Sequence, residues 1–255
     1  MTNREILDIA LRQSAFDCGC RAEDFLSEQD TVTISKADPR ARKYVPLPLE
    51  CDLVTYGNGI VAQVSERTRP AVTEYLNRFP GCRAFETPAI NALNDLLAPF
   101  DLKVCFMAEY FLPDVTRLRE LECGYELRVL QKADFANLYL SEWSNCFTYI
   151  ARERDVLAVG AYDNGRLAGL AGCSADCDDL YQIGVDVLPG YRRKGIASAV
   201  TSRLAIEITK LGKVPFYCAA WSNIKSVRNA VKCGFRPAWV ELTARDKGFV
   251  DEMVG

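Results

Sequence analysis

The sequence predicts an α/β (α+β) fold, a sheet flanked by helices, with an additional N-terminal α/β domain ahead of it. Three observations point there. At 255 residues the chain can bury a sizeable core, and two modest domains are favoured over one. The second half carries closely spaced strand signals, two of them joined by Asp163-Asn164-Gly165, a strong hairpin turn. After that meander the order becomes strand-helix-strand-helix-strand.

The first half opens with a helix over Asn3 to Cys18, because Leu7, Ala10, Leu11 and Ala15 share one face. A short helix follows at Ala22 to Ser27. Pro39 to Pro48 reads as a charged loop. In "CDLVTYGNGIVAQVS" two apolar runs meet at Gly57-Asn58-Gly59, which signals a hairpin. A dinucleotide fingerprint would need a third glycine, which is missing. Helices are predicted over Pro70 to Phe79 and Thr87 to Leu97, and a strand over Leu102 to Phe111. Pro113 to Cys123 reads as a connecting helix or linker. The boundary near Leu121 to Tyr125 gives domains 1–122 and 123–255. The first domain shows no catalytic motif and reads as a packing domain that helps shape a substrate cleft.

In the second domain Glu126 to Leu130 suits a strand and Gln131 to Trp143 a helix. Strands fit Val156 to Tyr162, Arg166 to Cys173 and Leu180 to Leu188. Gly195 to Leu211 is helical: Ile196, Val200, Leu204 and Ile208 recur every four residues, with Leu211 three further on. A strand fits Val214 to Trp221. Asn223 to Lys232 is a helix stopped by Gly234, and Phe235 to Thr243 is a final strand.

Composition excludes several function classes. Apolar residues make up 49% and charged residues 25%, as in ordinary globular proteins. Lys plus Arg total 31 against 34 acids, a net charge of -3, which argues against general nucleic-acid binding. There is no apolar run long enough for a membrane span. The charged start, "MTNREILDIALRQSAFDC", makes a poor signal peptide, so the cytoplasm is the expected location. The 11 cysteines are read as reduced thiols. The chain contains no histidine, and neither Cys18/Cys20 nor Cys173/Cys177 has C-x-x-C spacing, so no metal is expected. Without histidine, Ser-His and Cys-His nucleophile arrangements are also excluded.

"GYRRKGIAS", Gly190 to Ser198, stands between a strand and a long helix. The first N–H groups of a helix lack partners, and its dipole makes that end partly positive. An anion there can take several backbone bonds together. The amides of Gly195, Ile196, Ala197 and Ser198 are the expected donors, and Arg192, Arg193 and Lys194 add charge. Cations at a helix start oppose the dipole, a mismatch that a bound anion removes. The stretch is read as a diphosphate seat. It is not a P-loop, since Gly-x-x-x-x-Gly-Lys-Ser/Thr is absent.

These residues resemble a known family. Arg192-Arg193-Lys194-Gly195-Ile196-Ala197 matches the Gln/Arg-x-x-Gly-x-Gly/Ala signature of the GCN5-related N-acetyltransferases (GNAT). "IGVDVLPGY" is similar to that family's fourth strand, and "WSNIKSVRNAVKCGF", Trp221 to Phe235, to its second cofactor motif. The resemblance covers about residues 125–241. It implies a mixed, mostly antiparallel sheet flanked by helices. The first half lacks the pattern; a degenerate copy of the same fold and an unrelated domain both stay open.

The resemblance further implies acetyl-CoA as co-substrate, lying between the splayed strands Leu180 to Leu188 and Val214 to Trp221. Val185 and Val187 become the backbone partners of its pantetheine arm, and the diphosphate falls on residues 192–198. Asn223 contacts the pantetheine, caps its helix, or does both. Acetyl transfer to an amine needs a deprotonated amine, a donor for the developing oxyanion and an acid for the departing thiolate. The Val187 or Leu188 amide is the expected oxyanion donor. The family's tyrosine, four residues before the glycine closing the second motif, is Ala230 here. Tyr217, Cys218 or Tyr181 stands in, or the thiolate leaves unassisted. Asp186 is the sole acid within its strand: either a base, or a solvent-facing residue by alternation. Asp176, Asp178 and Asp179 form a solvated turn or attract a cationic amine. Trp221 lines the acceptor pocket or packs in the core. The expected activity is acetyl transfer to a primary amine of a small molecule or peptide by direct attack; the alternative is a non-catalytic acyl-CoA-binding module. Neither reading fixes an oligomeric state.

Overall fold

The computed structural model describes residues 1–148 and 150–254. The chain divides into two compact units, Met1–Ile9 with Phe111–Pro237, and Ala10–Tyr110 with Ala238–Gly255. In chain order the helix α1 (Asn3–Cys18) is followed by strands β1 (Thr31–Ile34), β2 (Cys51–Thr55) and β3 (Ile60–Val64). Helices α2 (Arg69–Arg78) and α3 (Thr87–Leu97) lead to β4 (Leu102–Pro113). Four strands come next: β5 (Glu126–Gln131), β6 (Asp155–Asp163), β7 (Arg166–Ser174) and β8 (Leu180–Val187). The chain ends with α4 (Ile196–Lys210), β9 (Val214–Ala220), α5 (Ile224–Lys232), β10 (Phe235–Asp246) and α6 (Lys247–Val254).

In the unit built on residues 10–110 and 238–255 the strand order is β1-β3-β2-β10-β4. β1 is parallel to β3, whereas β2 is antiparallel to both β3 and β10. The expected hairpin at Gly57-Asn58-Gly59 is present, with Thr55 opposite Ile60. Val72, Tyr75, Leu76, Leu93 and Leu97 bring α2 and α3 onto Leu53, Ala62 and Val64. Each such side chain contributes about 1.5–3 kcal/mol by leaving water. A polar cluster is also buried in this unit. Arg42 pairs with Asp17 and, at 3.4 Å, with Glu241. Asp52 accepts from Thr243 at 2.6 Å and from Gln63 at 3.1 Å. Burial, then the Glu241 charge, push the Asp52 carboxyl up to about 8.

In the other unit the order is β9-β8-β7-β6-β5, with β8 and β9 parallel and the remaining neighbours antiparallel. Thus the fold is the mixed, mostly antiparallel sheet with flanking helices that the sequence implies. The four-residue stripe of α4 does what its spacing requires. Ile196, Val200, Leu204 and Ile208 are all buried against Val159, Ala161, Ala168 and Ile183. Leu211 lies beyond the helix end and is exposed.

Several elements differ from expectation. No helix spans Gln131 to Trp143; Lys132–Asp134 and Ser141–Trp143 are single 3₁₀ turns. Asp134 accepts the Gln131 N–H at 2.8 Å and closes the first turn. Phe135, Trp143, Cys146 and Phe147 all bury against Leu130, Ala158 and Leu170. These four positions would also share one face of a continuous helix, so their spacing alone does not distinguish the two; the chain instead closes separate turns, the first through Asp134. Ala22–Leu26 is likewise a 3₁₀ turn. No helix forms between Pro113 and Cys123, where Asp114 accepts from the Thr116 amide and hydroxyl instead. β1 was not anticipated. β10 runs on to Asp246, and α6 follows it, carrying a Lys247–Asp251 ion pair.

Candidate active site

The site is built on the edge of β8. Its parallel pairing with β9 runs from Leu180–Val214 to Ile183–Tyr217, although both strands continue. On the other side β8 pairs with β7 as far as Gly169–Val187, and the Leu188 N–H donates to the Ala168 carbonyl at 3.0 Å. Antiparallel bonds alternate along a strand. The residues bonded to β7 are therefore Gly184, Asp186 and Leu188, and the amides of Val185 and Val187 point the other way, into the gap left by β9. The Leu188 amide is thus already committed, which removes it as an oxyanion donor. The Val187 carbonyl accepts from Arg192 Nε at 3.2 Å.

The strand then turns through Pro189–Tyr191 into the start of α4. Gly195 stands at the N-cap with φ 81°, a left-handed conformation that disfavours a side chain. A Cβ there would sit 3.8 Å from Cys123 Cβ and the Glu122 carbonyl, so the demand is conformational and not one of space. No side chain caps this helix. The Ala199 N–H makes the first helical bond, to the Gly195 carbonyl at 3.1 Å, behind the amides of Gly195, Ile196, Ala197 and Ser198. The Ser198 hydroxyl turns inward to Asn229 at 3.1 Å, which leaves the residue its backbone to offer. Arg193 has φ 63° and is exposed. The Lys194 ammonium lies 5.0 Å from the Tyr191 ring centroid and 6.0 Å from that of Tyr125.

Asn223 does cap α5: its side chain accepts the Ser226 N–H at 3.2 Å. Tyr217 occupies the point where the strands part. Its hydroxyl is 2.7 Å from Ser226 Oγ, and burial raises its pKa. Tyr181 sits six residues before Val187, about 20 Å along the strand, inside the paired stretch opposite Pro215. The fold does not bring it to the open edge. Ala230 is fully buried.

By strand alternation the Asp186 side chain and the bare Cα of Gly184 share the face opposite α4. Asp186 is half-buried and meets protein there. Its Oδ2 accepts the Asn145 N–H at 2.9 Å and its Oδ1 accepts the Asn145 side-chain amide at 2.6 Å. Cys146 Sγ is 3.5 Å from Oδ2, and burial foremost, then Asp186, hold that thiol well above its usual pKa. On the same face Gln182 Nε2 is 3.2 Å from Cys218 Sγ. Asn145 and Cys146 escaped the reading of the sequence. The signal available was a glycine in the middle of each of two strands, Gly172 and Gly184, which marks close backbone approach.

Two further expectations resolve. Trp221 is 51% exposed and so is not a core residue. Asp176 is buried, accepts from Ser174 at 2.7 Å and pairs with Arg154, so it is no solvated turn residue; Asp179 pairs with Lys213. Among the described residues no cluster suits a metal ion and no helix is long and apolar enough to cross a membrane.

A β8 edge abandoned by its parallel neighbour, running into an uncapped helix led by a left-handed glycine, is the arrangement of a GNAT-like fold. Residues 117–235 match the model of the acetyltransferase (GNAT) family, and this segment is a domain of that family. No curated protein matches the sequence. Among solved structures, one assigned to the GNAT family from Novosphingobium aromaticivorans is 18% identical over 56% of this chain and 66% of its own, with a TM-score of 0.46. A GCN5-related N-acetyltransferase-like protein from Streptococcus suis is 17% identical over 62% of this chain and 69% of its own, TM-score 0.46. A structure from Salmonella typhimurium, solved with its cofactor acetyl-CoA, is 20% identical over 49% of this chain and 94% of its own, TM-score 0.35. The chain therefore spans about two thirds of the first two structures' own length.

Proposed function

We propose that this chain transfers an acetyl group from acetyl-CoA to a primary amine of a small molecule or peptide, by direct attack. The observation that carries the reading is the open β8 edge, Val185 and Val187, leading straight to the uncapped start of α4. The residues suit the co-substrate. Backbone amides at 195–198 donate to no capping side chain and can hold a diphosphate, with Arg193 and Lys194 beside them. Val185 and Val187 offer an amide edge to a pantetheine arm, as one β-strand does to another.

When bound, acetyl-CoA supplies an activated acetyl thioester. The amides of residues 195–198 would hold the diphosphate, and of the two open-edge amides Val185 lies nearer the fork at Ile183–Tyr217, where the thioester would be held. Val185 N–H is on that account the donor to the oxygen that gains negative charge, and Val187 N–H holds the arm. Tyr217, kept protonated by burial and paired with Ser226, holds a proton for the departing sulfur.

The test is release of free CoA from acetyl-CoA, with and without a mixture of glycinamide, lysine, spermidine and a lysine-containing tripeptide. Amine-dependent release supports transfer. One observation favours a second reading: a buried methyl, Ala230, stands where the family's tyrosine is expected. Tight acetyl-CoA binding without amine-dependent release would support a non-catalytic binding module.

A further inference from the structure

We infer that Asp186 is a positioning residue: with Gly172 and Gly184 it seats residues 141–147 on the sheet beside the open β8 edge, and this segment forms the acceptor-facing wall. The inference rests on the reading of this site as an acyltransferase site.

Four contacts from different atoms converge on the same short segment. Both oxygens of Asp186 are used, one by the Asn145 backbone and one by its side chain. Bonds to a carboxylate are worth more than neutral ones, and two to one residue fix its orientation as well as its place. Beneath Asn145, a Cβ on Gly184 would lie 1.7 Å from the Asn145 carbonyl oxygen. A Cβ on Gly172 would lie 2.4 Å from the Cys146 carbonyl oxygen. No real side chain tolerates such distances, so the two glycines make the floor on which this backbone lies. Trp143, Cys146 and Phe147 bury beside it. Beyond the segment, Asp155 takes the Thr148 N–H at 3.1 Å, a second carboxylate tether on the same run of chain.

The charges around Asp186 agree with this role. The groups that face it are the Asn145 amides and the Cys146 thiol, with no cation recorded against it among the described residues. A general base needs an oxygen turned toward the reacting amine; both of these are turned toward Asn145. With Asp186 committed to the wall, the amine reaches the site as the free base from solution. The pH dependence of transfer then follows the acceptor's own ionisation, and Asp186 sets where the acceptor lies.

The test compares Asp186→Ala, Asp186→Asn, Asn145→Ala and Gly184→Ala in the full chain. Hydrogen exchange of the 141–147 peptide is measured by mass spectrometry. Acetyl-CoA affinity is measured by calorimetry, and CoA release with the amine mixture is followed across pH. Asp186→Ala and Gly184→Ala are expected to speed exchange of that peptide about tenfold or more. Acetyl-CoA affinity should stay within about threefold, because the substituted side chains lie on the sheet face opposite α4 and the reading gives the co-substrate only the backbone of Val185, Val187 and residues 195–198. Amine-dependent release should fall in all of them with its pH midpoint unmoved, and Asp186→Asn, which keeps one acceptor oxygen, should retain more activity than Asp186→Ala. The inference is overturned if exchange is unchanged. It is also overturned if Asn145→Ala and Gly184→Ala keep full turnover while Asp186→Asn loses it, since that pattern belongs to a base. If the wild type binds acetyl-CoA and acetylates none of the amines, transfer itself fails, and the exchange measurement still decides whether Asp186 holds the wall.

Discussion

Asn223 accepts the Ser226 N–H at 3.2 Å, so the sequence of α5 caps its own helix. α4, which faces the open end of β8, starts on Gly195 with no side-chain cap. One helix start is closed by its own side chain, and the other keeps N–H donors that an anion could take. This contrast also separates two roles that the sequence left open for Asn223. Asn223→Ala should cost about 1 kcal/mol in chemical denaturation through loss of the cap. Acetyl-CoA affinity should move by no more than about threefold. A much larger loss of affinity, with stability unchanged, would put this side chain on the co-substrate.

Gly195 should show two separable effects. Its φ of 81° makes any side chain strained, at about 1–2 kcal/mol. Space is not the obstacle, since an added Cβ would make only ordinary contacts. Gly195→Ala should therefore lower the melting temperature moderately. Gly195→Glu adds a carboxylate where the diphosphate is expected and should abolish measurable acetyl-CoA binding in a protein that still folds. Calorimetry on the glutamate variant with unchanged affinity would remove the seat from residues 195–198.

Tyr217→Phe probes the proton for the departing sulfur. The substitution keeps the ring in its core position beside Phe235 and removes the bond to Ser226. Amine-dependent CoA release should fall about a hundredfold, the lower range of general-acid effects. Tyr181→Phe, by contrast, should leave the rate unaltered, because Tyr181 lies within the paired part of β8. Equal rates for wild type and Tyr217→Phe would indicate that the thiolate leaves unassisted.

How much of this was legible in the sequence depends on whether a feature is local. The α4 stripe, the Asp163-Asn164-Gly165 hairpin and the glycine that opens α4 are written in consecutive residues, and each could be read there. Gln131 to Trp143 reads as a helix in the sequence because its apolar residues are compatible with one. What decides its shape is the sheet beneath it, at Gly172 and Gly184, which lie later in the chain. Asp186 shows the same limit: alternation gives its face, but only the fold supplies Asn145 as its partner. β1 and α6 carry weak local signals, with four residues in the one and a glycine inside the other.

The buried cluster around Asp52 makes stability depend on pH in a predictable sense. In the folded chain this carboxyl is raised from 3.8 to about 8, chiefly by burial and then by Glu241. Between those values the folded state keeps a proton that the unfolded chain has released. Stability must therefore fall as pH rises through that window and level off above it. Asp52→Asn should flatten this part of the profile of melting temperature against pH. A slope in the variant equal to that of the wild type would assign the effect to another group.

The central claim is that the backbone at the start of α4 receives the diphosphate of coenzyme A while the open edge of β8 receives its pantetheine arm. A crystal structure of the CoA complex tests it most directly. The account predicts the diphosphate within hydrogen-bonding distance of the amides of residues 195–198, and the arm bonded to Val185 and Val187. A nucleotide bound anywhere else, with this helix start untouched, would contradict it.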